Sequence, residues 1–156
     1  MIEIERKFLV SSTAFIALAS SKVYIKQGYL SKDPHRTVRI RIKDEQAFLT
    51  IKGISSESGM SRFEWEKEIS LEEGKTLIEL CLPAIIEKTR YVIPHAKHYF
   101  EVDVFEGGHK GLILAEIELP SEQTLIKLPQ WVGKEITGDK RYYNSYLSSK
   151  ESKNSL

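Results

Sequence analysis

The chain opens with MIEIERKFLV, residues 1–10, and the alternation in this stretch decides the fold. Ile2 and Ile4 interleave with Glu3, Glu5 and Lys7, so an extended segment here carries ionisable groups on one face and apolar groups on the other. The same period of two recurs along the chain. Arg39-Ile40-Arg41-Ile42-Lys43 sets three cations on one face, and Thr50-Ile51-Lys52 repeats the arrangement in brief. Arg62-Phe63-Glu64-Trp65-Glu66-Lys67-Glu68, Lys88-Thr89-Arg90, Glu101-Val102-Asp103-Val104 and Glu116-Ile117-Glu118-Leu119 follow.

A half-exposed antiparallel sheet also shows charged residues at alternate positions, turned to water. Here, however, some strands carry purely acidic pairs and others purely basic pairs, and like charges side by side on a solvent face repel one another. The segregation makes sense if strands of opposite charge face each other across an enclosed space. Eight candidate strands can be marked, at about 2–10, 23–31, 36–43, 47–53, 62–70, 88–94, 98–106 and 112–119. Eight antiparallel strands close into a barrel without free edges. The pattern predicts a mainly β (α+β) protein: a closed eight-stranded antiparallel β-barrel with a polar, charged lumen and a few flanking helices. Ile4, Ile40, Ile42, Ile51, Phe63, Trp65, Val102, Val104, Ile117 and Leu119 are then expected outside the barrel, beneath those helices.

Two hairpins are expected. VRIRIKDEQAFLTIKG turns near Asp44-Glu45, and YVIPHAKHYFEVDVF bends at Pro94-His95. Ser70-Leu71-Glu72-Glu73 has the form of a capping box and predicts a helix to about Leu82, stopped by Pro83. Short helices are expected over 11–20 and 121–128, and a last one from about Asp139 through Tyr142, Tyr143, Tyr146 and Leu147. No linker or repeat divides the chain, which predicts one domain over 1–147 and a polar tail over 148–156.

The 23 basic and 22 acidic residues leave a formal net charge of +1, which argues against a surface built for nucleic acid. Cys81 is the single cysteine, so no disulfide can form within the chain. It reads as a packing residue, as does Trp65 on the outward parity, while His35, His95, His98 and His109 read as surface residues. With no basic leader and no apolar run of the ~20 residues that span a bilayer, the expectation is a cytoplasmic protein with no membrane partner. A homodimer is left open.

Burying so many charges is costly unless they pair or meet a ligand. A ligand calling for both signs at once is a polyanion that carries a divalent metal. Arg and Lys clamp phosphate oxygens, and carboxylates hold Mg²⁺ or Mn²⁺ that bridges to the same phosphates.

In this order the motifs resemble those of the CYTH superfamily, the triphosphate tunnel metalloenzymes. That group includes class IV adenylate cyclases, thiamine triphosphatases and bacterial inorganic triphosphatases. The matching elements are E-x-E-x-K at Glu3, Glu5 and Lys7, R-x-R at Arg39 and Arg41, and T-x-K at Thr50 and Lys52. E-x-E at Glu64 and Glu66, K-x-R at Lys88 and Arg90, E-x-D at Glu101 and Asp103, and E-x-E at Glu116 and Glu118 complete them. The resemblance implies metal ligands among Glu3, Glu5, Glu116, Glu118, Glu101 and Asp103. It implies a phosphate cradle of Lys7, Arg39, Arg41, Lys52, Lys88 and Arg90. Catalytic roles fall to Glu5, to a water-activating carboxylate among Glu64, Glu66 and Glu101, and to Lys88 beside the leaving group. Lys140 and Arg141 read either as residues of a tunnel mouth or as a solvated helix start.

The activity implied is hydrolysis of a triphosphate with Mg²⁺ or Mn²⁺, tripolyphosphate first, by in-line attack of water on the terminal phosphoryl group. A thiamine triphosphatase needs an aromatic wall, for which Tyr24, Tyr29 or a tryptophan is available. Class IV cyclases carry a His-Phe pair several residues before E-x-E-x-K, and here only two residues precede Glu3. A polyphosphate- or nucleotide-binding protein without turnover is the remaining alternative.

Overall fold

In the computed structural model residues 1–148 are described. Of the expected polar tail only Ser148 falls among them, and it is buried, its Oγ donating to the Ser145 carbonyl at 3.2 Å; the remainder, 149–156, lies outside the described residues. The elements in chain order are β1 (Ile2–Val10), α1 (Phe15–Leu18), β2 (Ser21–Ser31), β3 (Thr37–Lys43), β4 (Gln46–Ser55) and β5 (Ser61–Ile69). There follow α2 (Leu71–Glu79), β6 (Ile86–His95), β7 (His98–Phe105), β8 (Ile113–Glu118), β9 (Val132–Glu135) and α3 (Asn144–Leu147). Short 3₁₀ turns occupy Gly107–His109 and Lys140–Tyr142.

Eight strands run in the order β5-β4-β3-β2-β6-β7-β8-β1, and pairing of β1 with β5 closes the ring. β1 is shared along its length: Ile2–Ile4 pair with Ser61–Phe63 of β5, and Glu5–Leu9 pair with Leu114–Glu118 of β8. The barrel is the one expected. β9, a ninth strand that the sequence pattern did not reveal, pairs outside it with Phe8 and Val10.

The outer face of β1, β7 and β8 carries one core. Phe8, Phe100, Val102, Ala115 and Ile117 are fully buried there beneath Phe15 of α1 and Trp131. Trp131 meets Phe100 edge-on at 5.2 Å, the favoured geometry for aromatic rings. The cover differs from expectation, since it is supplied largely by irregular chain between Leu119 and Val132. On β3 and β4 the cover is α2, whose Gly74 lies so close that a Cβ there would stand 2.4 Å from the Ala47 Cβ. On β5 Phe63 remains 43% exposed, so the expectation of a helix over it fails.

A second core fills one end of the lumen. Leu114, Phe105 and Ile86 point inward by the same parity as Glu116, Asp103 and Lys88, and they pack with Ile136 and Leu147. The lumen is therefore not polar throughout: it has an apolar floor, sealed by the C-terminal segment.

Other expectations are corrected in detail. Residues 121–128 form no helix; Pro120 and Pro129 bracket them, one turn closes from Thr124 N to the Ser121 carbonyl, and Ile126 packs on the outer core while Leu125 is 94% exposed. The last helix is broken because Tyr143 is extended, with ψ 137°. Ala96, at φ 53°, makes the second hairpin's turn, which leaves Pro94 and His95 within β6. α2 does carry its capping box, Glu73 N to Ser70 Oγ and Ser70 N to Glu73 Oε1 both at 3.0 Å, but ends at Glu79. Among the described residues no helix is long and apolar enough to cross a membrane.

Candidate active site

Strand register stacks the lumen residues in rows. Thr37 stands opposite Lys52 and Lys52 opposite Glu64; Arg39 stands opposite Thr50 and Thr50 opposite Glu66. Glu5 faces Glu118, Lys7 faces Glu116, and Glu116 faces Glu101. These rows enclose a cavity of about 230 Å³. Of the sequence-predicted residues, Glu3, Glu5, Lys7, Glu116, Glu118 and Glu101 line it, from β1, β7 and β8. Arg39, Arg41, Lys52, Glu64, Glu66 and Arg90 line it from β3, β4, β5 and β6. Lys88 and Asp103 do not. They lie beneath the cavity, Lys88 fully buried and Asp103 2% exposed, bonded to each other at 2.7 Å.

Most cations in the lumen are held by acids. Lys52 Nζ donates to Glu3 at 3.0 Å and lies 3.3 Å from Glu64. Lys7 Nζ is 3.3 Å from Glu116 and donates to the Tyr142 carbonyl at 3.1 Å. Arg90 grips Asp103 with two parallel bonds of 2.8 and 3.0 Å and reaches Glu101 at 3.1 Å. Arg39 Nη2 donates to Thr50, whose hydroxyl donates on to Glu66 at 2.7 Å. Arg39 Nε is buried with no acceptor among the described residues. Arg41 forms no ion pair among them, and its Nε donates to the neutral Gln27 oxygen at 2.7 Å.

The two walls are each uncomfortable with themselves. Burial raises Glu5 well above the usual carboxylate range, and Glu116 and Glu3 add to the rise against Lys52 and Lys7. Burial also brings Arg41 down to about 9, with Arg39 and Arg90 contributing. Glu64 is raised to about 7 by burial and by its hydrogen bond with Glu3. Burial works against Glu116 and Asp103 too, but Lys7 and Arg90 outweigh it and hold Glu116 at about 2, while Arg90 and Lys88 hold Asp103 far below the carboxylate range. Lys88 is drawn down to about 7 by burial, against Asp103 and with Arg90 and Arg41. One wall has surplus negative charge and the other surplus positive charge, so a bound cation and a bound polyanion would together relieve both.

Residues 1–153 match the CYTH domain family. The chain belongs to the CYTH family. It is 44% identical over 153 residues to an inorganic triphosphatase of Acetivibrio thermocellus, covering 97% of this chain and 96% of the relative. It is 40% identical over 155 residues to an inorganic triphosphatase of Nitrosomonas europaea, covering 95% and 97%. Among solved structures, the crystal structure of an inorganic triphosphatase superposes with a TM-score of 0.65 at 36% identity, covering 94% of this chain and 97% of that one. A Hippeastrum protein described as a putative adenylyl cyclase shares the fold, with a TM-score of 0.63 at 18% identity over 76% of this chain and 80% of its own.

The CYTH lumen also contains residues that were not among the expected site residues. Arg62 lines it too: the alternation along β5 put it on the charged face with Glu64, but the family motifs did not include it among the site residues. Its Nε donates to the Gly53 carbonyl at 2.9 Å, and its guanidinium lies 5.7 Å from the Tyr143 ring centre. Thr137, Tyr143, Asn144 and Ser145 come from the C-terminal turns and the short α3, where no period of two signals an inward face. Lys140 and Arg141 do not line the lumen; Arg141 turns back to Asp139 at 2.7 Å. Tyr29 lines the lumen, whereas Tyr24 lies outside it, 42% exposed.

The donor chemistry of this CYTH site fits a hard divalent cation: all the candidate ligands are carboxylate oxygens, and Glu5 is short of positive charge. Among the described residues no three acidic, His or Cys side chains converge as a ready-made cluster. Glu3 is turned to Lys52 and Glu116 to Lys7. That arrangement suits an ion held by one or two carboxylates together with substrate oxygens, the usual mode for Mg²⁺.

Proposed function

We propose that this protein hydrolyses inorganic triphosphate (tripolyphosphate) with Mg²⁺ or Mn²⁺. The observation that carries the reading is Arg41, which lines the lumen with no acid partner among the described residues, beside an Arg39 whose Nε finds no acceptor among them. Buried guanidinium groups without acid partners cost free energy, and a phosphate chain in the lumen would supply the missing negative charge. The relatives named inorganic triphosphatase, at 44% and 40% identity, support the substrate. The lining supports it as well: the rings of Tyr29 and Tyr143 and the side chain of Met60 are its main apolar surfaces, which suits an inorganic chain better than one bearing a nucleoside or thiamine.

Glu5, with Glu118 opposite it across the strand pair, would hold the metal, and Glu3 would join them only on leaving Lys52; the ion would supply charge neutralisation at the phosphates and a more acidic water. Arg39, Arg41, Lys7, Lys52 and Arg90 orient the chain and neutralise the charge that grows on the transferring phosphoryl and the leaving oxygens. Glu64, one of the three candidate bases, is raised to about 7, which supports it as the group that would take a proton from the attacking water at neutral pH. Lys88 acts from beneath the cavity, through Asp103 and Asn144.

The test is phosphate release from tripolyphosphate, ATP and thiamine triphosphate with Mg²⁺ or Mn²⁺, with cyclic AMP followed in parallel. Tripolyphosphate should be turned over fastest, and EDTA should stop it. No release from any of the three, with binding retained, would leave a phosphate-chain binding protein in its place.

A further inference from the structure

We propose that Asn144 is a substrate-binding residue whose side-chain N–H₂ group donates to a phosphate oxygen in the lumen. The inference rests on the triphosphatase reading and adds to it a neutral contact brought by the C-terminal segment. It follows from a chain of hydrogen bonds whose direction is fixed at both ends. Arg41 can only donate, and its Nε donates to Gln27 Oε1 at 2.7 Å. The oxygen of Gln27 is thereby committed, so its Nε2 faces the other way and donates to Asn144 Oδ1 at 3.0 Å. Lys88 also can only donate, and its Nζ reaches the same Oδ1 at 2.9 Å.

Turning the Asn144 amide over would set its N–H₂ against two donors. Gln27 and Lys88 are fully buried, so turning it would leave both donors unmet inside the wall. The oxygen of Asn144 is therefore pinned toward the barrel wall, and its Nδ2 has no acceptor among the described residues, although the residue lines the lumen. An amide with its oxygen doubly occupied and its two hydrogens unclaimed presents a donor pair to the cavity. Arg39 Nε and Arg41 stand on the same lumen. The acceptor that suits all three is an oxygen-rich anion, and a triphosphate is the one the site is proposed to take.

Asn144→Asp separates contact from scaffolding. The aspartate keeps an oxygen for Lys88 and Gln27 but replaces the donor with a second oxygen facing the phosphates. A residue that merely held Lys88 in place would tolerate this change. The contact predicts a tenfold or greater rise in both the KM for tripolyphosphate and its calorimetric Kd in metal-free buffer, with Tm within a few degrees of the parent. Values within twofold of the parent overturn the assignment. The unsubstituted protein gives an independent reading: the Asn144 side-chain ¹⁵N–¹H₂ resonances should shift when tripolyphosphate is added without metal. Resonances that stay in place overturn it, whether or not the variant folds. A parent protein that hydrolyses tripolyphosphate with those resonances unmoved defeats the Asn144 contact alone. One that neither binds nor hydrolyses tripolyphosphate defeats the proposed function, and this contact with it.

Discussion

At the scale of single residues, the lumen trades stability for an electrostatic readiness that can be measured. Glu5 sits buried among acids and is raised in the fold, so its ionisation opposes folding: the stability it allows is full below the ordinary carboxylate range and is lost as pH rises through its folded pKa. Glu5→Gln should abolish metal-dependent phosphate release yet melt no lower than the parent at pH 8 in chelator, with the gap closing as the pH is lowered. Glu116 has the opposite sign. Moved from an ordinary 4.5 to about 2, it contributes stability that is present above 4.5 and lost as pH falls through about 2. The amount is roughly 3 kcal/mol, and Glu116→Gln should lower Tm at neutral pH and flatten its fall through that acid window. A Tm-versus-pH curve for each variant checks both signs. Such contrasts were half legible in the sequence. Parity named Glu5 and Glu116 as inward residues, but which carboxylate would be starved of cations depended on the register of β1, β7 and β8.

Among the elements, strands were legible because each has a face with a different chemistry, and a period of two survives any neighbour. β9 was not, since Val132-Gly133-Lys134-Glu135 is short and carries no alternation of its own; it exists because β1 offers an outer edge at Phe8 and Val10. The 121–128 segment misled because a serine followed by acidic and apolar residues imitates a helix start, whereas Ile126 reaches the outer core from irregular chain and Leu125 and Leu128 stay exposed. α2 shows how propensity yields to packing. Gly74 stands in the helix, where alanine is ordinarily better by about 1 kcal/mol, but a Cβ there meets the Ala47 methyl at 2.4 Å. Gly74→Ala should therefore lower Tm instead of raising it. Ser70→Ala, which removes the cap, should cost about 1 kcal/mol. Because α2 lies on the outer face of β3 and β4, both variants should retain the KM for tripolyphosphate, and melting curves paired with steady-state kinetics would show whether they do.

For the whole molecule, the consequential feature is that the barrel has two cores serving different ends. The outer one, around Phe15, Phe100 and Trp131, holds the wall together from outside. The inner one, around Phe105, Leu114 and Leu147, stoppers the lumen and anchors the segment that carries Tyr143 and Asn144. The sequence showed a charged lumen but not its floor, because Leu9, Leu114 and Phe105 occupy inward positions that read as ordinary apolar strand ends. The two cores can be told apart by function. Leu147→Ala removes a fully buried side chain from the floor and should cost about 2–5 kcal/mol, and Phe15→Ala should cost about 3–5 kcal/mol in the outer core. Both should lower Tm, by roughly 5–15 °C for a domain of this size. Only Leu147→Ala frees the C-terminal segment from the lumen, so it alone should raise the KM for tripolyphosphate when both are assayed well below their melting points. Equal KM values in the two variants would mean that the floor stabilises the barrel without positioning the site.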